Sequence, residues 1–244
     1  MRKTFVVINR AGKVGKSTIS KHLLAPVAKA EWVQIETHND TGEGADFQSV
    51  GRKFYSVSEL VFTEARNTVI DVGASNYAEV LKQLEGLGTF VNNVTAWVIP
   101  TTTSDGMIAD TFGTAQDLVE RLEVDPSKIM IVLNKVADEI DAEDKVISLT
   151  KTAKKLGLNI IDRVIVDSHF YDRYNKDERN IFEIADDATD YLVLSAKAQE
   201  DGDVKERDRL LRAQTLRDMA VKARRNMRAV AKAFPIDFSV TGKS

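Results

Sequence analysis

The 244-residue sequence has no cysteine and only three histidines and four prolines. Without thiols it can form neither disulfide bridges nor thiolate metal sites, which fits a reducing compartment. The histidines, His22, His38 and His169, do not have the spacing of a metal site. No run of about twenty apolar residues is present, so we expect no membrane span, and the short apolar N-terminal stretch is not typical of a signal peptide. These absences favour a cytoplasmic protein.

Charge is distributed unevenly along the chain. The net charge is −3, yet residues 205–232 contain ten basic and three acidic residues, so the remainder is acidic. We predict a polar linker over 196–203, a basic amphipathic helix over 204–234 and a tail over 235–244. The helix carries one narrow apolar stripe, spaced by three and four residues: Leu216, Ala220, Ala223, Met227, Val230 and Phe234. A basic arm on an acidic body indicates a binding partner.

A phosphate-binding loop is the most specific motif in the sequence. An apolar, β-branched run over residues 5–8 predicts a strand, and a helical pattern begins near Thr18. The turn between them ends in Gly15-Lys16-Ser17, although Arg10 stands where the pattern G-x-x-x-x-G-K-[ST] has its first glycine. In this strand–loop–helix context, backbone N–H groups and the helix dipole bind anions. We therefore expect the loop to contact phosphates through Gly12, Lys13, Val14, Gly15, Lys16, Ser17 and Thr18.

Apolar runs and helical patterns alternate through the first 195 residues. Further strands are predicted over residues 32–35, 68–71, 94–99, 129–133 and 160–166. Helices are predicted over 18–30, 57–65, 77–87, 107–122, 141–156 and 177–185. This alternation indicates an α/β fold with a doubly wound, mainly parallel sheet, forming a P-loop domain over residues 1–195, with the long basic helix at the C-terminal end.

Carboxylates follow two of the predicted strands. Asp71 ends an apolar strand, where P-loop enzymes keep the aspartate that holds Mg²⁺, while Ser17 would supply the metal's hydroxyl ligand and Lys16 would contact the β- and γ-phosphates. The alternative is that Asp71 only caps the next turn. Gly73 or Ala74 would offer a backbone N–H to the γ-phosphate.

Glu36 and Asp40 are candidates for orienting the attacking water. Glu36 ends the second strand and Asp40 lies in the polar loop after it, at the sheet edge where ligands bind in open α/β folds. Either one could equally be a solvated loop charge. His38, between them, is more typical of a loop residue than of a base.

Asn134 follows an apolar strand, at a position where many P-loop proteins read the base. The guanine-selective pattern N-K-x-D needs an aspartate at position 137, where this chain has alanine, which favours ATP over GTP. Asp167, after the last strand, is placed where it could also contact the base.

The loop Ala11–Ser17 resembles the phosphate loop K-G-G-x-G-K-[ST] of the ParA/MinD group of P-loop ATPases, with a deviant Walker A motif. The strand-end Asp71, the lone Asn134 and the acid ending strand two also resemble this group. Residues 35–39 and the chain length look most like its StbB-type branch, which serves plasmid stability and conjugation. The resemblance covers about residues 1–195.

The resemblance implies an ATP- and Mg²⁺-dependent switch that hydrolyses ATP slowly. Two ATP-bound subunits of such proteins dimerise face to face and act on a DNA-bound adaptor, the nucleoid or the membrane. A signature lysine normally reaches the partner's phosphates, but Ala11 stands at that position and Lys13 replaces the second glycine. Lys13 and Arg10 are nearby cations, out of register with it.

Two alternative functions remain at this stage. A transferase or ligase resembling dethiobiotin synthetase would share the fold, although no second substrate-binding cluster is evident. A nucleotide-binding scaffold with little catalysis is consistent with Ala11. The basic helix could bind DNA non-specifically or simply pack on its own domain, and its alanine-rich stripe makes membrane binding the least favoured.

Overall fold

The structure is a computed structural model that describes residues 2–35, 59, 66–137, 143–173 and 178–238. The chain forms two compact units, one of Met1–Asp167 with Ala229–Ser244 and one of Ser168–Arg228. The division comes earlier than the predicted boundary after residue 195. The reason is local packing: Phe170 and Ile184 form an apolar cluster with Ala220 and Ala223 of the long C-terminal helix.

The first unit contains a parallel sheet, which confirms the predicted α/β class. Its described strands are β1 (Thr4–Val7), β2 (Ala30–Ile35), β3 (Asn67–Val72), β4 (Ala96–Thr101), β5 (Ile129–Leu133) and β6 (Asn159–Ile160). They form one six-stranded sheet in the order β2-β3-β1-β4-β5-β6, with parallel pairing throughout. β1 therefore lies inside the sheet, with β3 and β2 on one side of it and β4, β5 and β6 on the other. This reversal of the strand order creates a crevice at the carboxyl end of the strands.

The sheet is buried on both faces. Every residue of β1, β4 and β5 is buried, including Phe5, Trp97 and Ile131, which have no exposed surface. Continuous apolar runs of this kind are what a parallel sheet needs when helices cover both of its faces. This burial fixes the strand ends that carry the polar residues of the candidate site.

Helices follow the strands as predicted, with shifted ends. The first unit contains α1 (Lys16–Ile19), α2 (Ala25–Ala28), α3 (Tyr77–Leu84), α4 (Gly88–Asn93), α5 (Asp105–Leu122) and α6 (Glu143–Lys155). Gly157 follows α6 in the left-handed conformation, as expected for a C-cap glycine. The predicted helix over 57–65 lies outside the described residues except for Glu59.

The helix after the phosphate loop is not regular. A π-helical stretch, Ser20–Leu24, joins α1 to α2, and the Ala25 N–H bonds the Ser20 carbonyl five residues back. The wide turn directly precedes Pro26, which has no N–H to donate. His22 lies buried in this stretch, and burial lowers its pKa to about 3, with a further contribution from the nearby Lys21 charge.

The second unit consists of helices. They are α7 (His169–Arg173), α8 (Ile181–Ala185), α9 (Tyr191–Glu200) and most of α10 (Val204–Ala233). Asn180 begins α8 with a capping box shared with Glu183. The predicted apolar stripe of α10 is confirmed, since Ala220, Ala223 and Met227 are buried, as are Val230 and Phe234.

Two predicted elements need correction. The linker predicted over 196–203 is mostly helix, because α9 continues to Glu200 and buries Ala198 against its surroundings. The strand predicted over 160–166 is reduced to Asn159–Ile160 plus an isolated bridge between Val136 and Val166. The helices α4, α7 and α9 were not predicted.

The beginning of the tail is packed rather than frayed. The Phe238 ring stacks on Phe5 with 5.8 Å between centroids and meets Phe234 edge-on at 5.7 Å. The Lys3 ammonium donates to the Asp237 carbonyl. Residues 239–244 lie outside the described part of the chain. Among the described helices, none is both long and apolar enough to cross a membrane.

Candidate functional site

The predicted phosphate loop lies between the carboxyl end of β1 and the first residue of α1. Gly15 caps α1 in the left-handed conformation, with φ +87°. A Cβ atom there would lie 3.1 Å from Cγ of Asn134 and closer still to its amide nitrogen. Both observations require glycine at this position. The glycine of the sequence pattern therefore lies where the Asn134 side chain packs tightly against the loop backbone.

Asn134 supports the loop from β5. Its side-chain amide donates to the Val14 carbonyl at 2.9 Å, and the residue is 1% exposed. The expected role of Asn134 was to contact the base. In the structure its amide nitrogen binds the loop backbone, 120 positions away in the sequence, and the contact with the base stays a prediction. Val14 itself is fully buried, so it contributes to the loop through its backbone.

Asn9 supports the start of the loop and was missed by sequence reasoning. Its fully buried amide donates to the Pro100 carbonyl at 2.8 Å and to Oγ1 of Thr111 at 3.0 Å. Its Oδ1 accepts the Ala11 N–H at 2.8 Å. One side chain thus connects the loop with β4 and α5. The available signal was a polar residue placed directly after a buried strand, where an unsatisfied amide would be costly.

Lys16 is folded back over the loop. Its ammonium donates to the Ala11 carbonyl at 2.8 Å and to the Asn9 carbonyl at 3.2 Å, and the residue is 8% exposed. The ammonium group of a lysine is a compact point charge suited to binding phosphate. Its neighbour Ser17 is exposed.

A cleft of about 420 Å³ opens over this loop. It brings together predicted residues from two different strand ends. The lining residues are Gly12, Lys13, Gly15, Lys16, Ser17, Thr18, Asp71, Gly73, Ala74, Ser75 and Lys135. The cleft therefore combines three lysines, one carboxylate, two serine hydroxyls and the N-terminus of a helix, which is a composition suited to a polyphosphate with a metal ion.

Asp71 lies at the cleft wall near the end of β3. It is paired in register with Val7 of β1 and Gln34 of β2, and it is 1% exposed. The parallel register explains the placement, since the ends of adjacent strands β1 and β3 meet at one edge. The Gly73 N–H donates to the Ile35 carbonyl at 3.0 Å. The Gly73 N–H is therefore already bonded within the protein. Ala74, the other predicted donor to the γ-phosphate, also lines the cleft.

The remaining predicted residues are placed differently. Asp167 is exposed and does not line the described cleft, but its N–H bonds the Val136 carbonyl at 2.7 Å, one residue beyond Lys135. Glu36 and Asp40, the candidates for orienting water, lie outside the described residues.

Arg10, the other cation near the loop, points to α5. Its Nε donates to Oδ1 of Asp110 at 3.0 Å. Its guanidinium covers Gly113, where an added Cβ would overlap it. The Arg10 N–H also bonds Oγ1 of Thr114 at 3.2 Å. Arg10 therefore fastens the loop to α5.

Comparison with known proteins identifies the fold. No family model matches the chain, and no curated protein sequence matches it. Among solved structures, apo McdA from Cyanothece matches with a TM-score of 0.50 and 15% identity, covering 75% of this chain and 93% of that one. A Cyanothece McdA variant in complex with ATP matches with a TM-score of 0.53 and 12% identity, covering 98% and 99%. The chain thus has the α/β P-loop fold seen in McdA.

Proposed function

We propose that this protein binds ATP with Mg²⁺ and hydrolyses it slowly, as a ParA-like switch. The observation that carries the proposal is the cleft itself. Its phosphate loop, held by Gly15 and Asn134, presents Lys16 beside the strand-end carboxylate of Asp71. Lys16 would bind the β- and γ-phosphates, and the N-terminus of α1 would bind phosphate oxygens through its backbone N–H groups.

The residues present fit a magnesium ion. Ser17 offers an exposed hydroxyl and Asp71 a carboxylate at the same cleft, and hard oxygen donors are what Mg²⁺ prefers. The metal would neutralise charge on the phosphates during transfer. Lys16 and Ser17 hold the phosphate end of the nucleotide, while Glu36 or Asp40 would orient the attacking water.

The resemblance of the fold to McdA supports this proposal. McdA belongs to the ParA/MinD family of ATPases, and one of the matching structures contains ATP. From the resemblance of the sequence to the ParA/MinD group and its StbB-type branch, we propose an ATP-dependent homodimer that acts with a DNA-bound, plasmid-encoded adaptor in plasmid stability, DNA positioning or conjugation.

Nucleotide binding is tested with purified protein and a fluorescent ATP analogue in the presence of Mg²⁺. We expect Lys16→Ala to weaken affinity at least tenfold, and Asp71→Asn to remove the dependence on Mg²⁺. Lys82→Ala, an exposed lysine on α3 away from the cleft, is the matched control and should bind as the wild type does. Wild-type affinity in both cleft variants would refute the assignment. The solution mass with ATP, compared with ADP, tests the dimer.

Non-specific DNA binding through α10 is a second part of the proposal. Some of its cations are used inside the second unit: Arg217 donates to the carbonyls of Asp187 and Thr189 at 3.0 and 2.6 Å, and Arg224 pairs with Asp186. Other cations of this unit are exposed, among them Lys222 and Arg225. Their spacing places them along one side of the helix, where they can follow a phosphate backbone.

The DNA proposal is tested by the salt dependence of binding to a duplex of arbitrary sequence. Replacing Lys222 and Arg225 by alanine should lower the slope of log affinity against log salt by about two, since each phosphate contact contributes about 0.9. A control variant removes the same charge from α6, through alanine at the exposed residues Lys151 and Lys154. Equal losses in the two variants would indicate general electrostatics and contradict a site on α10.

A further inference from the structure

The cleft contains more positive charge than the phosphate-loop lysine supplies. Lys13 and Lys135 line it together with Lys16, whereas Asp71 is the only carboxylate among its described lining residues. Lys16 is buried against loop carbonyls, but Lys13 and Lys135 are exposed. No ion pair joins Lys13 to any described carboxylate. Its ammonium is therefore available to an anion that enters the cleft.

Lys13 occupies an unfavourable backbone conformation. Its φ is +62°, in the left-handed region. This conformation is unfavourable for a residue that has a Cβ atom and almost free of cost for glycine. The neighbouring Gly12 does not have a positive φ, and a Cβ atom added to it would meet no atom within 4 Å. Glycine is therefore not required at position 12 for either reason. The loop thus keeps a long charged side chain at the position where glycine is favoured. Strain of this kind at a binding loop points to a function for the side chain.

The other loop residues cannot supply this charge. Ala11 has only a methyl group, and its N–H is bound to Asn9. Arg10 is paired with Asp110 and packed over Gly113, on the α5 side of the loop. Val14 is fully buried. Between residues 10 and 14, Lys13 is therefore the one cation that lines the cleft.

We propose that Lys13 is a catalytic residue whose ammonium donates hydrogen bonds to the phosphates of the nucleotide bound in the same chain. The proposal rests on the ATPase function proposed above. In hydrolysis the water oxygen bonds to the γ-phosphorus, and the bond from that phosphorus to the bridging oxygen breaks. The electron pair stays on ADP, one water proton stays with the released phosphate and the other goes to solvent. Lys13 stabilises the charge that develops on the phosphate oxygens and the bridging oxygen.

The test uses a glycine variant that removes the ammonium without straining the backbone. For Lys13→Gly we expect kcat to fall about 100-fold, as for loss of one donor to a developing oxyanion, and ATP affinity to change by less than about threefold. Lys13→Arg keeps a cation and should retain turnover within about tenfold. Lys29→Gly is the matched control, because Lys29 is also exposed, has φ +48° and lies away from the cleft. It should turn over ATP as the wild type does.

Two further measurements separate a catalytic contact from a structural effect. Methylammonium added to Lys13→Gly should restore part of the turnover, because Gly12 leaves open space beside the loop. Turnover of Lys13→Gly at the wild-type rate would overturn the proposal. So would restored turnover on mixing Lys13→Gly with Lys16→Ala, which would show that Lys13 acts on the partner's nucleotide. A wild-type protein that fails to bind ATP would instead refute the proposed function itself.

Discussion

Substituting Gly15 by alanine tests how the phosphate loop is held. The new methyl group would lie 3.1 Å from Cγ of Asn134 and nearer to its amide nitrogen, while φ is +87°. Asn134 would have to move, which breaks its 2.9 Å bond to the Val14 carbonyl inside the protein. An alanine in the left-handed region costs about 1–2 kcal/mol. The lost buried hydrogen bond costs about 1–3 kcal/mol.

These two effects predict that Gly15→Ala lowers the free energy of unfolding by about 2–5 kcal/mol in total. Chemical denaturation followed by circular dichroism measures the change. Affinity for a fluorescent ATP analogue should fall with it, because the displaced loop no longer presents its N–H groups in one geometry.

A double-mutant cycle separates the two effects. Asn134→Ala removes both the hydrogen bond and the clashing amide, so adding Gly15→Ala should then cost only the backbone strain. With the asparagine gone, the nearest remaining atom is Cβ of Thr18 at 3.7 Å, an ordinary contact. The double variant should therefore be more stable than the sum of the single changes predicts, by about 1–3 kcal/mol. Strict additivity would refute the contact between residues 15 and 134 as the cause.

Two more predictions concern Arg10 and His22. Gly113→Ala should change the free energy of unfolding by less than about 1 kcal/mol. Alanine is the better helix former and gains about 1 kcal/mol, but its methyl group displaces Arg10 from the exposed pair with Asp110, which costs up to about as much. In an Arg10→Ala background the same change should stabilise the protein by the full amount, as measured by chemical denaturation. The lowered pKa of His22, about 3 when folded, means that the unfolded chain takes up a proton first as pH falls below 6.5. Stability should thus drop by about 2 kcal/mol from pH 7.5 to pH 5 through this group, and His22→Gln should reduce that drop; an equal drop in both proteins would contradict it.

The phosphate loop could be predicted because its residues are contiguous in the sequence and its glycine indicates the backbone conformation of the turn. Gly15 must be glycine for a local reason, and Lys16 follows it directly. Asp71 was predictable as well, since parallel strands bring their carboxyl ends to one edge. The supporting residues are a different case. The contacts of Asn9 with α5 and of Asn134 with Val14 join positions far apart in the sequence, and no local pattern encodes them.

Two elements were predicted wrongly where a few buried apolar side chains lie in a polar stretch of sequence. The helix α4 contains Gly88 and two asparagines, a composition typical of a loop, and forms because Phe90 and Val91 are buried. The supposed linker contains good helix formers, and tertiary packing of Ala198 extends α9 into it. Both errors arise because packing by one or two apolar side chains overrides a polar local composition.

The packing of Phe238 on Phe5 has a consequence for how the protein is made on the ribosome. β1 is synthesised before the other described strands and lies inside the sheet, between β3 and β4. Its aromatic neighbour is translated only after every other described strand. A nascent chain therefore carries β1 with part of its apolar surface uncovered until residue 238 has been translated. Contacts of such long sequence separation form slowly, so we expect the sheet to become fully protected only after residue 238 has left the ribosome.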